Sequence, residues 1–232
     1  MLSSEERKAK IWSVVRVSSG NFREMYDFTV FAYYAAAIGR AFFPTGNEFT
    51  SLMLSLMTFW VGFLMRPLGA LILGAYTDHH GRRKGLMLTL ALMAVGIVSI
   101  ACVPGYDTIG VLAPIIVVMG RLLQGFSAGG EVGGVSVYLS EIATPGHKGF
   151  YVCWQACSQN LVVIFAASIG VFLSAVLPPA QMRQWGWRVP LLLGTIIIPF
   201  LFRLRSSLLE SDEFKARKTH PNLSQILLSR AE

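Results

Sequence analysis

Gly74-Ala75-Tyr76-Thr77-Asp78-His79-His80-Gly81-Arg82-Arg83-Lys84 sits at the junction of two long apolar stretches. Gly74 and Gly81 permit a tight turn and close helix approach. The cluster Arg82-Arg83-Lys84 holds such a loop on the cytoplasmic side of a membrane. Topology alone accounts for the cations. It does not account for Asp78, placed one helical turn before them, and that marks the loop as a candidate contact rather than a plain anchor.

Outward from this loop the chain is a series of apolar runs. Stretches long enough to span a bilayer, about 20 residues each, lie at 21–43, 50–76, 86–103, 109–140, 149–177 and 188–204. Turn residues separate them: Pro44-Thr45-Gly46-Asn47, Asp78–Lys84, Pro104-Gly105-Tyr106-Asp107, Thr144-Pro145-Gly146-His147 and Pro178-Pro179. The chain is 53% hydrophobic and 14% charged, with a mean hydropathy of +0.54, against roughly 25% charged residues in soluble domains. The expected architecture is all-α and membrane-spanning. It has a cytoplasmic segment at 1–20, a six-helix bundle at 21–205 and a cytoplasmic polar tail at 206–232. No cleavable signal is legible in MLSSEERKAK, so the first span is expected to stay.

The net charge of +7 is dispersed between apolar runs rather than gathered on one face, which argues against nucleic acid. Topology explains it. Fourteen Lys and Arg fall in segments 1–20, 77–85, 144–149 and 203–232, whereas the opposite loops hold only Arg183 and Arg188. Both termini are therefore expected in the cytoplasm, with Trp185 and Trp187 at the opposite interface. Cys102, Cys153 and Cys157 read as buried, inert thiols, and neither they nor His79-His80 complete a metal set. No cofactor is implied. No nucleophile triad or phosphate loop suggests an enzyme.

Ionisable groups at bilayer depth are costly and are functional candidates by default. At about 100° per residue, Arg121, Gln124, Ala128 and Glu131 share an arc of roughly 80°. They form either an internal stitch between helices or a substrate and proton site. In the second reading Arg121 offers a permanent fork matched to carboxylates, and Glu131 a desolvated carboxylate able to exchange a proton. Gly125, Gly129, Gly130, Gly133 and Gly134 allow neighbours to approach closely. In span one, Glu24 is equally compatible with the interface. Asp27 lies deeper and is the better candidate for proton coupling, and Arg23 either pairs with one of the two or snorkels. Gln155, Ser158 and Gln159 form an i, i+3, i+4 patch that either lines a hydrated cavity or bonds helices together. Arg66-Pro67 predicts a kink in span two, with Arg66 facing a cavity or another helix.

Several of these segments resemble the metabolite:proton symporter family of the major facilitator superfamily. The likeness rests on Gly20-Asn21-Phe22-x-Glu24-x-Tyr26-Asp27-Phe28, Arg66-Pro67-x-Gly69-Ala70, the 74–84 loop and Gly120-Arg121-x-x-Gln124-Gly125. It continues through Tyr138-Leu139-Ser140-Glu141, Trp185-Gly186-Trp187-Arg188-Val189-Pro190 and Leu209-Glu210-Ser211-x-Glu213-Phe214. Within the family the chain looks most like citrate and tricarballylate symporters. The resemblance implies the amino-terminal half of a twelve-helix fold with an inverted three-plus-three repeat, in a bacterial inner membrane. It implies proton-coupled symport of a tricarboxylate or dicarboxylate, with Asp27, Arg66, Arg121, Gln124, Glu131, Gln155 and Gln159 as substrate or proton residues. It also implies a cytoplasmic gate built from Gly74, Asp78, Gly81, Arg82, Arg83 and Glu141. His79 departs from the arginine usual after the loop aspartate. The expected partners are a small carboxylate anion, protons and the lipid bilayer. With six spans rather than twelve, the alternative is a non-transporting fragment, or a half that takes a second six-helix chain.

Overall fold

The computed structural model describes residues 4–206, and every regular element among them is helical. The helices are α1 (Ser4–Tyr33), α2 (Ala35–Phe42), α3 (Glu48–Leu64), α4 (Arg66–His80), α5 (Arg82–Cys102), α6 (Tyr106–Ile109), α7 (Leu112–Glu141), α8 (Lys148–Val176), α9 (Pro179–Gln181) and α10 (Arg188–Ser206). A π-helical turn, Met182–Gly186, joins α9 to α10. The expected motif at 209–214, and the basic residues Lys215, Arg217, Lys218 and Arg230, lie outside the described residues.

Glu48–His80, Arg82–Cys102, Leu112–Glu141 and Lys148–Val176 are each long and apolar enough to cross a membrane. Pro179–Gly186 with Arg188–Arg203, bent by 43°, makes a fifth. The first expected span does not qualify on composition, because it carries Arg23, Glu24 and Asp27. It nevertheless packs into the bundle as α1. That helix starts at Ser4, well before the expected Asn21, because Val14 and Val17 fall on the same buried face.

Chain breaks follow local chemistry. α4 meets α5 across a single residue, Gly81, at φ 103°, a conformation that a Cβ makes costly. Asn47 caps α3, its Oδ1 accepting from the Phe49 N–H at 2.8 Å. Span two breaks at Met65, and Pro67 lies in the first turn of α4, where its missing N–H costs nothing. The kink expected at Arg66-Pro67 is thus a break between two helices.

Packing follows an exchange of the first three spans with the last three. α7 packs against α4 and α5, and α1 packs correspondingly against α8 and α10. α5 and α10 meet each other. This is the arrangement that an inverted repeat produces.

The interior is layered along the helix axes. One apolar layer holds Phe31, Ile38, Phe42, Ile100, Val117 and Trp187. The layer at the other end holds Val14, Val17, Leu86, Val135, Tyr138 and Leu139. α1 and α7 run through both in opposite directions, and their residues 21–27 and 121–131 fall between. Trp187 is therefore a core residue, set edge-on to Phe42 at 5.6 Å, rather than the interface residue expected. Trp185 is exposed. The three cysteines are also exposed, against expectation. An apolar span has a lipid face as well as a packed one, and hydrophobicity does not say which a thiol occupies.

Candidate functional site

The middle layer is where the chain buries its charge. Arg23, Glu24 and Asp27 from α1, and Arg121, Gln124 and Glu131 from α7, are all almost wholly buried. The arc predicted for Arg121, Gln124, Ala128 and Glu131 is one buried face of α7. Glu24 and Arg23 are enclosed by the bundle rather than exposed at its rim, and each faces an opposite charge within it.

The charges pair across and along helices. Arg23 lies 3.1 Å from Asp27 one turn away. Arg66, from the first turn of α4, lies 3.8 Å from Glu24. Asp27 also senses the charges of Arg121 and Glu131, and Arg121 those of Asp27 and Arg66. Three guanidinium groups thus face three carboxylates. Arg121 donates from Nη1 to Gln124 Oε1, while its Nε and Nη2 make no hydrogen bond within the described chain.

Aromatic rings complete this layer, and sequence reading missed them. The Arg121 guanidinium lies 3.8 Å from the centroid of Phe31 and 5.1 Å from Phe28 and Phe59. Arg66 lies 4.2 Å from Phe63 and 4.6 Å from Phe28. The available signal was spacing: Phe28/Phe31 and Phe59/Phe63 each stand one turn apart on one helix. Rings over a guanidinium contribute from about 0.5 kcal/mol to 2 or more once desolvated. They also cover Arg121, whereas Arg66 remains 28% exposed. Arg66 is the more accessible of the two cations.

Gln155 and Gln159 are engaged differently. Asn21 Nδ2 donates to the Gln155 carbonyl at 3.0 Å and to Ser158 Oγ at 2.8 Å. Gln159 Nε2 donates to Asn21 Oδ1 at 3.4 Å, and Ser136 Oγ donates to Gln155 Oε1. Of the two readings kept open, the geometry matches helix-to-helix bonding of α8 with α1 and α7. Asn21 is the hub.

At the basic end, Arg82 draws together the two carboxylates expected beside it. Its Nη1 donates to Asp78 Oδ1 at 2.7 Å, and Nη2 and Nε approach Glu141 Oε1 at 3.2 and 3.4 Å. The turn at Gly81 sets this geometry, placing Arg82 at the first position of α5 opposite the last of α7. Arg83 is exposed beside it. Gly74 makes no close helix contact, nor does Gly133, since a Cβ on either would meet nothing within 4 Å. Both line a cavity of about 370 Å³ with Asp78 and Arg82. By contrast, a Cβ on Gly125 would strike the Gly62 backbone, and one on Gly129 the backbone of Arg66 and Ala70. His79 and His80 are exposed, and no metal-holding cluster occurs among the described residues.

Residues 12–231 match the family model described as sugar (and other) transporter. A citrate-proton symporter of Klebsiella pneumoniae is 54% identical over 94% of this chain and 49% of its own length. An alpha-ketoglutarate permease of Escherichia coli (strain K12) is 39% identical over 93% of this chain and 50% of its own. The chain spans about half the length of these curated relatives. Among solved structures, the partially occluded inward-open xylose transporter XylE from E. coli superposes with a TM-score of 0.79 at 17% identity, over 96% of this chain and 55% of that one. A bundle layered in this way, with that loop and those relatives, places the chain in the sugar (and other) transporter family of the major facilitator superfamily, as the multi-pass membrane portion that forms an amino-terminal half.

Proposed function

We propose that this bundle is one wall of a proton-coupled symporter for a small di- or tricarboxylate such as citrate. The observation that carries the reading is the set of three guanidinium groups and three carboxylates on α1, α4 and α7, all but Arg66 almost wholly buried. Such a set is neutral when every member is ionised. A polyanion entering beside Arg66 and Arg121 adds negative charge in a low-dielectric layer, where unlike charges attract strongly and like charges repel. Protonation of a carboxylate among Glu24, Asp27 and Glu131 offsets that charge and frees a guanidinium to turn to the substrate. Anion and proton then enter together. The names of the relatives support the substrate class.

Alternating access rocks one six-helix half against another around a midplane site. The opposing wall is a second six-helix half, and the basic end of this bundle faces the cytoplasm, where the positive-inside rule puts it. There Asp78, Arg82 and Glu141 act as a gate, with Gly81 forming the turn, Gly74 lining the cavity beside it and Arg83 adding exposed positive charge. Gln155 and Gln159 hold the wall together.

The test uses these residues in a twelve-span protein, with labelled citrate uptake driven by an inward proton gradient. Arg121→Lys should fold yet lower kcat/KM by about 10- to 100-fold, as expected where charge-assisted hydrogen bonds are lost. Wild-type uptake in that variant would make Arg121 a structural stitch.

A further inference from the structure

Two cavities on the surface of α1 share Val14, Val15 and Trp154 and so form one groove. The deeper part, about 340 Å³, lies between α8 and α10 and is walled by Phe22, Leu161, Ile197 and Phe200. The shallower part, about 360 Å³, opens beside Arg7 and Ile11 against Phe150 and Tyr151 of α8. The surface exposed in the deep part is apolar. Arg23 lines it and is almost wholly buried, but its head is turned to Asp27.

Charge is confined to the mouth. Arg7 lines it, Lys10 lies 6.0 Å from the Tyr151 ring centroid, and Lys148 is exposed at the start of α8. The first turn of α8 has no side-chain cap, so its N–H groups add to the positive field. Trp154 lines both parts and is exposed, as is Trp12 on α1, and exposed indoles favour the headgroup region. From Ile11 to Tyr26 the groove runs about 22 Å along α1.

We propose that this groove binds one anionic phospholipid, its phosphate among Arg7, Lys10 and Lys148 and an acyl chain along Val15, Phe22 and Leu161. An extended polypeptide segment laid in the deep part would bring backbone N–H and C=O groups against walls whose exposed surface is apolar, whereas a helix, which bonds its own backbone, is the occupant that the dimer outcome below tests. A hydrocarbon chain has no such groups, and the mouth supplies the cations that a phosphate needs. The inference concerns a surface apart from the charged middle layer and stands whether or not the substrate is a carboxylate.

Native mass spectrometry of the full chain from mixed micelles tests it, with dioleoylphosphatidylglycerol and dioleoylphosphatidylcholine as competing probes. The expected result is one retained phosphatidylglycerol per chain, favoured several-fold over phosphatidylcholine of the same chains. Removing cations by Arg7→Ala and Lys10→Ala should each lower that preference, and the two together should abolish it. Val15→Trp, at a half-exposed position where the bundle keeps its fold, should reduce retention of both lipids by filling the slot. Circular dichroism confirms that the variants keep their helicity. Equal retention by wild type and Val15→Trp would show annular lipid only and overturn the proposal. So would a dimer lost in Val15→Trp, which would make a second copy the occupant. Lipid binding that appears only on deleting 207–232 would equally overturn it, by making that segment the occupant.

Discussion

Arg82 shows how much one side chain is asked to do. It reaches Asp78 on the helix before it and Glu141 at the end of α7, and the Glu141 carboxylate is only 5% exposed. Breaking a largely buried pair leaves an uncompensated charge, costing about 3–5 kcal/mol, whereas an exposed pair contributes under about 1 kcal/mol. Arg82→Glu should therefore depress uptake in the twelve-span context, and adding Glu141→Arg should partly restore it. A double-mutant cycle with no coupling would leave Arg82 a topological role alone. Arg66 makes a second residue-scale case. Lysine there keeps the charge facing Glu24 but loses the planar contact with Phe63 and Phe28. Arg66→Lys should raise KM for the anion more than it lowers kcat, because Arg66 is the exposed member of the pair.

Between elements, small residues decide how near helices come. Gly125 sits against the Gly62 backbone, so Gly125→Ala forces α7 away from α3 and separates Arg121 from Phe59. Gly133, eight residues on, faces the cavity beside Asp78. The expected outcome in detergent is a clear fall in thermal stability for Gly125→Ala, of the 1–3 kcal/mol typical of overpacking, and little change for Gly133→Ala. Similar stability of the two would mean that α7 has freedom to shift. The same scale explains Asn21. It bonds α8 through Gln155, Ser158 and Gln159, and such intramembrane bonds contribute roughly 0.6–2 kcal/mol each. Asn21→Leu should loosen α1 from α8, read as faster hydrogen exchange at the edges of those two helices.

At the level of the whole molecule, the proposed function requires an opposing wall for the charged layer. A polypeptide confined to these residues, reconstituted in proteoliposomes with an inward proton gradient, should accumulate no labelled citrate. Supplying a second six-helix half should restore accumulation, since transport proceeds by rocking of halves about a shared site. Gradient-driven uptake by these residues alone would instead point to two copies acting as the two walls. The three-plus-three packing predicts that the bundle moves as one body. Distances from α7 to α4 and α5 should then stay fixed between inward- and outward-facing states, as spin labels on those helices would report.

Composition and the spacing of apolar runs were enough to determine an all-helical membrane bundle, because a chain in lipid can satisfy its backbone only within helices or closed barrels. A turn within Asp78–Lys84 and a distortion at Arg66-Pro67 were legible because both are local, set by φ angles and a missing N–H, but the structure narrows the turn to Gly81 and makes the kink a break. The shared face of Arg121, Gln124 and Glu131 was legible because helical period alone places it. Apart from the meeting of Arg82 with Glu141, which the family resemblance implied, which groups meet across helices was not. That Arg66 faces Glu24, that phenylalanine rings cover Arg121, that Asn21 bonds the Gln155 backbone carbonyl, Ser158 and Gln159 of α8 and that Trp187 is core all depend on how helices rotate and cross. Rotation and crossing are settled by many weak contacts summed over the packed interface, where Gly62 meeting Gly125 counts as much as any charge. A period fixes which residues share a face; only tertiary packing decides what that face looks at.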